Sequence, residues 1–118
     1  MYDDQNVFAK ILRGEIPANK PVYEDDHVLA FWDIAPKKKT HVIVIPKGAF
    51  VDMEDFARKA SDQEILALIR AIPKVTEALG VNISGYRLIC NVGPDSEFEI
   101  PHLHLQILGG EVVGPLVS

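Results

Sequence analysis

The segment 101–110, PHLHLQILGG, constrains the fold of this chain more than any other feature of its sequence. Polar and apolar residues alternate along it with the period of two that is typical of a β-strand with two different faces. We therefore predict that His102, His104 and Gln106 project from one face, while the leucines and the isoleucine between them face a hydrophobic core. Such a strand requires a sheet that has a packed hydrophobic layer on its apolar face and a rigid row of polar side chains on the other.

The rest of the chain predicts the partners of this strand. We expect five strands, at residues 22–24, 28–32, 41–45, 86–92 and 102–108. A first helix is expected between a cap at Asp3 or Asp4 and Gly14. A long helix is expected from the capping box at 61–64 to Gly80, with a kink or irregular turn near Pro73, and 49–60 reads as a loop or a short helical turn. The predicted class is α+β, an antiparallel sheet of about five strands with two helices.

Length, charge and cysteine content narrow the class of protein further. A chain of 118 residues is long enough for one core, so we expect a single domain over 1–118. The formal net charge of −5 disfavours nucleic acid as a partner, because phosphate backbones are bound by clustered cations. A single cysteine excludes an internal disulfide and favours a reducing, cytoplasmic location. The acidic, polar start predicts no signal peptide, and no apolar run approaches the roughly 20 residues of a membrane helix.

Five blocks of the sequence resemble the histidine triad family of nucleotide-binding proteins, in its branch of small nucleoside phosphoramidases. They stand in the family's order and read FAKILRGEIP (8–17), DDHVLAFWDIAP (25–36), THVIVIPK (40–47), GYRLICNVG (85–93) and PHLHLQILGG (101–110). The resemblance implies a hydrolase or nucleotidyl transferase that acts on nucleoside phosphoramidates or related purine nucleotide conjugates, with no metal or cofactor. It also implies a homodimer in which two sheets join into one continuous sheet.

The resemblance assigns roles to individual residues. His104 matches the histidine that attacks the α-phosphorus and carries a covalent nucleotidyl intermediate, and His102 matches the residue that braces it. Asp33 matches a carboxylate that accepts hydrogen bonds from both ribose hydroxyls, and His41 matches a histidine close behind the triad strand. The implied apolar slot for the base comprises Val7, Phe8, Ile11, Phe31, Trp32 and Ile34. The implied phosphate-side residues are Gln106, Asn91, Glu99, Ile100 and Pro101.

Two departures from the family pattern leave the activity open. Gln106 stands where the family usually has a third histidine, and its amide can donate a hydrogen bond to phosphate but cannot carry a proton. In the loop 94–99, Ser96, Glu97 and Phe98 replace two glycines and a glutamine. Glycine lets a backbone approach phosphate closely, so its loss matters at such a site. The sequence thus allows an enzyme, a non-catalytic nucleotide-binding or interaction module, or a zinc site using His102, His104 and His41.

Overall fold

The structure is a computed structural model that describes residues 1–97 and 100–116. Five strands form one antiparallel sheet in the order β1-β2-β3-β5-β4, so that β3 lies in the middle and β1 and β4 form the edges of the described sheet. The strands are β1 (Pro21–Glu24), β2 (Val28–Trp32), β3 (Thr40–Pro46), β4 (Tyr86–Ile89) and β5 (Leu105–Gly109). The predicted α+β class with a five-stranded antiparallel sheet is confirmed.

Four helices, rather than the two predicted, accompany this sheet in the described residues. They are α1 (Val7–Leu12), α2 (Met53–Lys59), α3 (Asp62–Leu79) and α4 (Val81–Ser84). The stretch 49–60, which the sequence assigned to a loop or a short helical turn, contains all of α2. Its N-terminus is fixed by Asp52, whose side chain accepts a hydrogen bond from the Asp55 N–H at 2.9 Å.

The helix termini show which sequence signals were decisive. The predicted capping box opens α3, because the Ser61 hydroxyl accepts from the Glu64 N–H while the Glu64 carboxylate accepts from the Ser61 N–H. The helix then continues through Pro73 and ends at Leu79, with Gly80 as its C-cap, so the alternative of an irregular turn was wrong. Neither Asp3 nor Asp4 caps α1. Asn6 does so, since its side chain accepts from the Ala9 N–H at 2.9 Å.

The two faces of the sheet pack differently. The helix face, formed by Val42 and Val44 of β3 with Leu105 and Ile107 of β5, packs against the apolar stripe of α3. The opposite face, called here the site face, carries a second apolar cluster of Phe8, Leu29, Phe31, Ile43 and Ile45. Gln106 lies on the site face because it pairs directly with Ile43 across the ladder. The alternation predicted for 101–110 is therefore correct.

Two strand boundaries differ from the prediction by three residues, and both lie at the end of the sheet where β5 begins, whereas the other boundaries agree to within one residue. β5 begins at Leu105 instead of residue 102, because the His102 N–H donates to Ile100 and the Leu103 N–H donates to Phe50 rather than to β3. β4 ends at Ile89 rather than at residue 92. His102 and His104 thus lie in the segment immediately before β5 and not within the strand. Within 1–97 and 100–116, no helix combines the length and the hydropathy needed to cross a membrane.

Candidate active site

His102 is the buried anchor of the site, with a side chain that is 0% exposed. Its Nε2–H donates to the carbonyl oxygen of Pro46 at 2.9 Å, and its Nδ1 accepts from the Tyr2 hydroxyl at 2.5 Å. Burial lowers the pKa of His102, which agrees with a neutral ring that donates at one nitrogen and accepts at the other. His102 thereby connects the N-terminal segment and the end of β3 to the segment that immediately precedes β5.

His104 is held by the backbone of His102. The Nδ1–H of His104 donates to the His102 carbonyl oxygen at 2.8 Å, and this tautomer places the imidazole lone pair on Nε2. Burial lowers the pKa of His104, while the hydrogen bond to His102 and the carboxylate of Asp33 act in the opposite direction. A neutral imidazole in a fixed orientation is suited to nucleophilic attack or to general-base catalysis.

The ring of Phe8 packs against both imidazoles. The centroid distances are 5.1 Å to His104 and 6.2 Å to His102, and both pairs meet edge to face. Phe8 also meets Phe31 of β2 edge to face at 5.8 Å. One aromatic side chain from α1 therefore connects the histidines to the apolar cluster of the site face, and Ile11 and Ile100 pack against the same cluster.

A second buried histidine, His41 at the start of β3, lies next to Gln106. Its Nδ1 accepts from the Lys37 backbone N–H at 3.1 Å, so its own proton lies on Nε2. That N–H donates to Oε1 of Gln106 at 2.8 Å and is 3.5 Å from Oδ2 of Asp33. The other oxygen of Asp33 accepts from the Ala35 N–H at 2.8 Å. One histidine thus contacts both the third triad position and the carboxylate assigned to the ribose.

The side chains assigned to the base slot lie in different parts of the structure. Trp32 packs against the helix-face core, because adjacent residues of a strand point to opposite faces, so its place in the slot was wrong. Phe31, its neighbour, lies on the site face as expected. Ile34 is 88% exposed immediately after Asp33, and Val7 is also exposed at the start of α1. The structure therefore packs Phe31 against Phe8, which alone of the two meets the histidines, and leaves Val7 and Ile34 exposed.

The loop that follows Asn91 holds a residue other than glycine in a backbone conformation that favours glycine. Pro94–Ser96 form a short 3-10 turn, and Glu97 then adopts φ 63° and ψ 35°, in the left-handed region. Glycine adopts this conformation without steric cost, which explains why a glycine is usual at the matching position. The predicted phosphate-side residue Glu99 lies outside the described residues, as does Phe98.

Tyr2 is the contact that sequence reasoning missed. Its hydroxyl is bonded to the His102 ring, and the two rings meet edge to face at 5.6 Å. No spacing rule connects residue 2 with a residue 100 positions later. The one usable signal was an aromatic residue isolated in an otherwise polar N-terminal segment.

The arrangement of the histidines argues against the zinc interpretation. Both ring nitrogens of His102 are bonded to Pro46 and Tyr2, and both ring nitrogens of His41 are bonded to Lys37 and Gln106. A histidine coordinates zinc through one ring nitrogen, so a site that used both residues would have to break at least one of the two bonds of each ring. Across 1–97 and 100–116, no three His, Cys, Asp or Glu side chains are grouped so that they would hold a metal ion.

A five-stranded antiparallel sheet that presents a neutral histidine held by the carbonyl of a histidine two residues earlier defines a protein of the histidine triad class. The HIT domain family model matches residues 13–113, and the chain belongs to this family.

Relatives cover nearly the whole chain. It is 36% identical over 115 residues to the purine nucleoside phosphoramidase of Escherichia coli K12, and the matched region covers 98% of this chain and 95% of that protein. It is 50% identical over 117 residues to a 13.2 kDa HIT-like protein of Azospirillum brasilense, with 99% and 95% covered. A solved HIT family hydrolase from Clostridium thermocellum has a TM-score of 0.87 at 36% identity, with 98% and 99% covered.

Proposed function

We propose that this chain is a nucleotide-binding hydrolase or nucleotidyl transferase that acts on purine nucleoside phosphoramidates or related conjugates through a covalent His104-nucleotidyl intermediate. The observation that carries the proposal is the hydrogen bond from Nδ1–H of His104 to the His102 carbonyl. Together with the lowered pKa, it supports a neutral imidazole with its lone pair on Nε2 at pH 7. Similarity to the E. coli purine nucleoside phosphoramidase supports the substrate class.

The proposed reaction has two steps. In the first, Nε2 of His104 attacks the α-phosphorus, a bond between imidazole nitrogen and phosphorus forms, and the P–N bond to the leaving amine breaks. The leaving nitrogen takes its proton from water, because the amide of Gln106 donates hydrogen bonds but is not an acid that can transfer a proton. In the second step, water attacks phosphorus and loses a proton to solvent, the imidazole–phosphorus bond breaks, and a nucleoside monophosphate leaves.

The substrate is recognised at three places in this proposal. A carboxylate has about four lone-pair positions, so Asp33 can accept from both ribose hydroxyls beside its bond to the Ala35 N–H. The base lies against apolar side chains of the site face, and the phosphate lies beside the polar end of β5. The proposed base contacts are Phe8, Ile11, Phe31 and Ile34, and the proposed phosphate contacts are Asn91, Glu99, Ile100 and Gln106.

The working unit of the proposal is a homodimer of single domains. β4 is an edge strand of the described sheet, and its Tyr86 and Leu88 are exposed on the helix-face side. Leu66 and Ile69 of α3, on the same side of the sheet, are 51% and 56% exposed. Pairing of two β4 strands joins the sheets, satisfies the open edge and buries this apolar surface. A cytoplasmic location completes the proposal and rests on the use of a single cysteine.

Direct detection of the intermediate tests the mechanism. After incubation with adenosine 5′-phosphoramidate and a quench without acid, the intact protein should gain the mass of one adenylyl group and AMP should be released. His104→Ala should lose both signals. His27→Ala, which removes a histidine in the β1–β2 turn, is the matched control and should keep both. A His104→Ala protein that retains turnover would refute the covalent mechanism.

One observation favours the second candidate, a nucleotide-binding module without turnover. The Glu97 carboxylate follows the 3-10 turn of the proposed phosphate loop. Glu97 is exposed, so its carboxylate repels a phosphate only if it turns inward, by at most roughly 3 kcal/mol at about 5 Å and an effective dielectric near 20. AMP binding without adduct or turnover would establish this second function, whereas a chain that does not bind AMP would refute both.

A further inference from the structure

The amide of Gln106 has two different ends, and only one of them is useful to a phosphate. Resting on the proposed function, we infer that His41 is a positioning residue that holds the Gln106 amide with its N–H groups, and not its carbonyl oxygen, toward the phosphoryl group. The family's usual histidine has no such ambiguity between an oxygen and a nitrogen. The inference is therefore specific to a chain with glutamine at this position.

The inference depends on which ring nitrogen of His41 carries the proton. The Lys37 backbone N–H cannot accept, so the His41 nitrogen that faces it, Nδ1, must be the acceptor. The single proton of the neutral ring is then on Nε2, and the atom of Gln106 at 2.8 Å from it has to be the carbonyl oxygen. Because the oxygen and nitrogen of an amide project in different directions from the same carbon, the NH₂ group of Gln106 points away from His41.

Burial makes this orientation firm. His41 is 1% exposed, so water does not compete for its N–H, and a reversed amide would face one N–H with another. Asp33 Oδ2 is the other acceptor nearby, but at 3.5 Å it is farther from the same nitrogen than Gln106 is. Ribose hydroxyls that donate to Asp33 satisfy this carboxylate and leave the His41 proton to Gln106. Nucleoside binding and amide orientation thus support each other.

Two variants of His41 that differ by one methylene group test the orientation. In His41→Asn, the side-chain oxygen can still accept from the Lys37 N–H, but the side chain is too short to reach Gln106. In His41→Gln, the amide nitrogen stands about where Nε2 stood and can still donate. His41→Asn should lower kcat/KM for adenosine 5′-phosphoramidate and AMP affinity by about ten- to a hundredfold, the value of one charge-assisted hydrogen bond. His41→Gln should stay within about fivefold of wild type.

A double-mutant cycle shows whether His41 acts through Gln106. In a Gln106→Ala background there is no amide to orient, so adding His41→Asn should lower kcat/KM and AMP affinity by less than about threefold. An equal loss in both backgrounds, or a His41→Gln variant no better than His41→Asn, would overturn the inference and leave His41 a residue of general structural importance.

The tautomer of His41 is measurable without any substrate and remains a test if a variant fails to fold. A long-range ¹H–¹⁵N spectrum of the wild-type protein should show His41 protonated at Nε2 alone, and an Nδ1–H tautomer would overturn the inference. If wild type neither binds AMP nor turns over the phosphoramidate, the proposed function fails, while this spectrum still decides whether His41 orients the amide.

Discussion

His102→Ala removes the buried ring that joins three parts of the site while leaving His104 in the sequence. The structure predicts a large loss of stability from this change, because both ring nitrogens of His102 are bonded inside the protein. His104→Ala removes the proposed nucleophile and its hydrogen bond to the His102 carbonyl, but it leaves the buried ring of His102 in place. The pair of variants therefore separates a histidine that builds the site from one that performs the chemistry.

The magnitude of the loss follows from the contacts of each ring. Without His102, the buried carbonyl of Pro46 loses its donor, which costs about 1–3 kcal/mol. The space left beside Phe8 and Tyr2 adds about 2 kcal/mol as a cavity. We therefore expect His102→Ala to lower the free energy of unfolding by about 3–5 kcal/mol. His104→Ala should cost less, about 0.5–1.5 kcal/mol, because His104 is only half-buried and water can reach the His102 carbonyl once the ring is removed.

Urea unfolding followed by circular dichroism, at one fixed protomer concentration, measures both losses. His102→Gln is the conservative control, because its amide nitrogen can still donate to Pro46, and we expect it to lose about 1–2 kcal/mol. Equal losses for His102→Ala and His104→Ala would refute the division of roles. A loss below about 1 kcal/mol for His102→Ala would show that the carbonyl of Pro46 finds another donor.

Three further predictions concern the same residues and the surface around them. Burial lowers the pKa of both His102 and His104 below the ordinary 6.5, so the unfolded chain binds protons that the native chain does not. The free energy of unfolding should therefore be highest above about pH 6.5 and should fall on acidification, with a smaller slope in His102→Gln. Urea midpoints that rise on acidification between about pH 8 and 5 would contradict this sign. Glu97→Gly should stabilise the protein by about 0.5–1 kcal/mol, because relief of the left-handed backbone outweighs the greater conformational entropy that glycine gives the unfolded chain. An unchanged urea midpoint would argue against strain at this residue. Ile69→Glu should shift sedimentation from dimer to monomer if α3 borders the dimer interface, whereas a variant that stays dimeric would place that interface elsewhere.

The features that the sequence predicted correctly are those with local causes. The capping box of Ser61 and Glu64 needs only residues three apart, and it opens α3 as expected. The alternation in 101–110 fixes which side chains enter the core whatever the partners of the strand are. The same rule, applied to Phe31 and Trp32, would have placed Trp32 on the opposite face. That error came from transferring a contiguous block of the family pattern without applying the strand period to it.

The features that escaped prediction depend on tertiary contacts. Asn6 rather than an aspartate caps α1, because the position of the cap depends on where Phe8 is buried. The bonds of His102 to Tyr2 and of His41 to Gln106 join residues 100 and 65 positions apart. A resemblance to a family places His41 behind the triad strand, but only the hydrogen bonds show which nitrogen carries the proton and which atom of Gln106 receives it.

The glutamine at the third triad position defines what chemistry this site can support. A neutral amide held by His41 stabilises negative charge on phosphoryl oxygens in the ground state and the transition state, but it delivers no proton to a departing group. A missing general acid slows departure by roughly 10²–10⁴-fold, and the deficit is largest for leaving groups that need protonation most. Substrates whose leaving group departs as a stable anion avoid this deficit, because their departure does not wait for a proton. On the proposed mechanism, the chain should therefore discriminate among nucleotide conjugates by the acidity of the leaving group more steeply than a relative with histidine at this position.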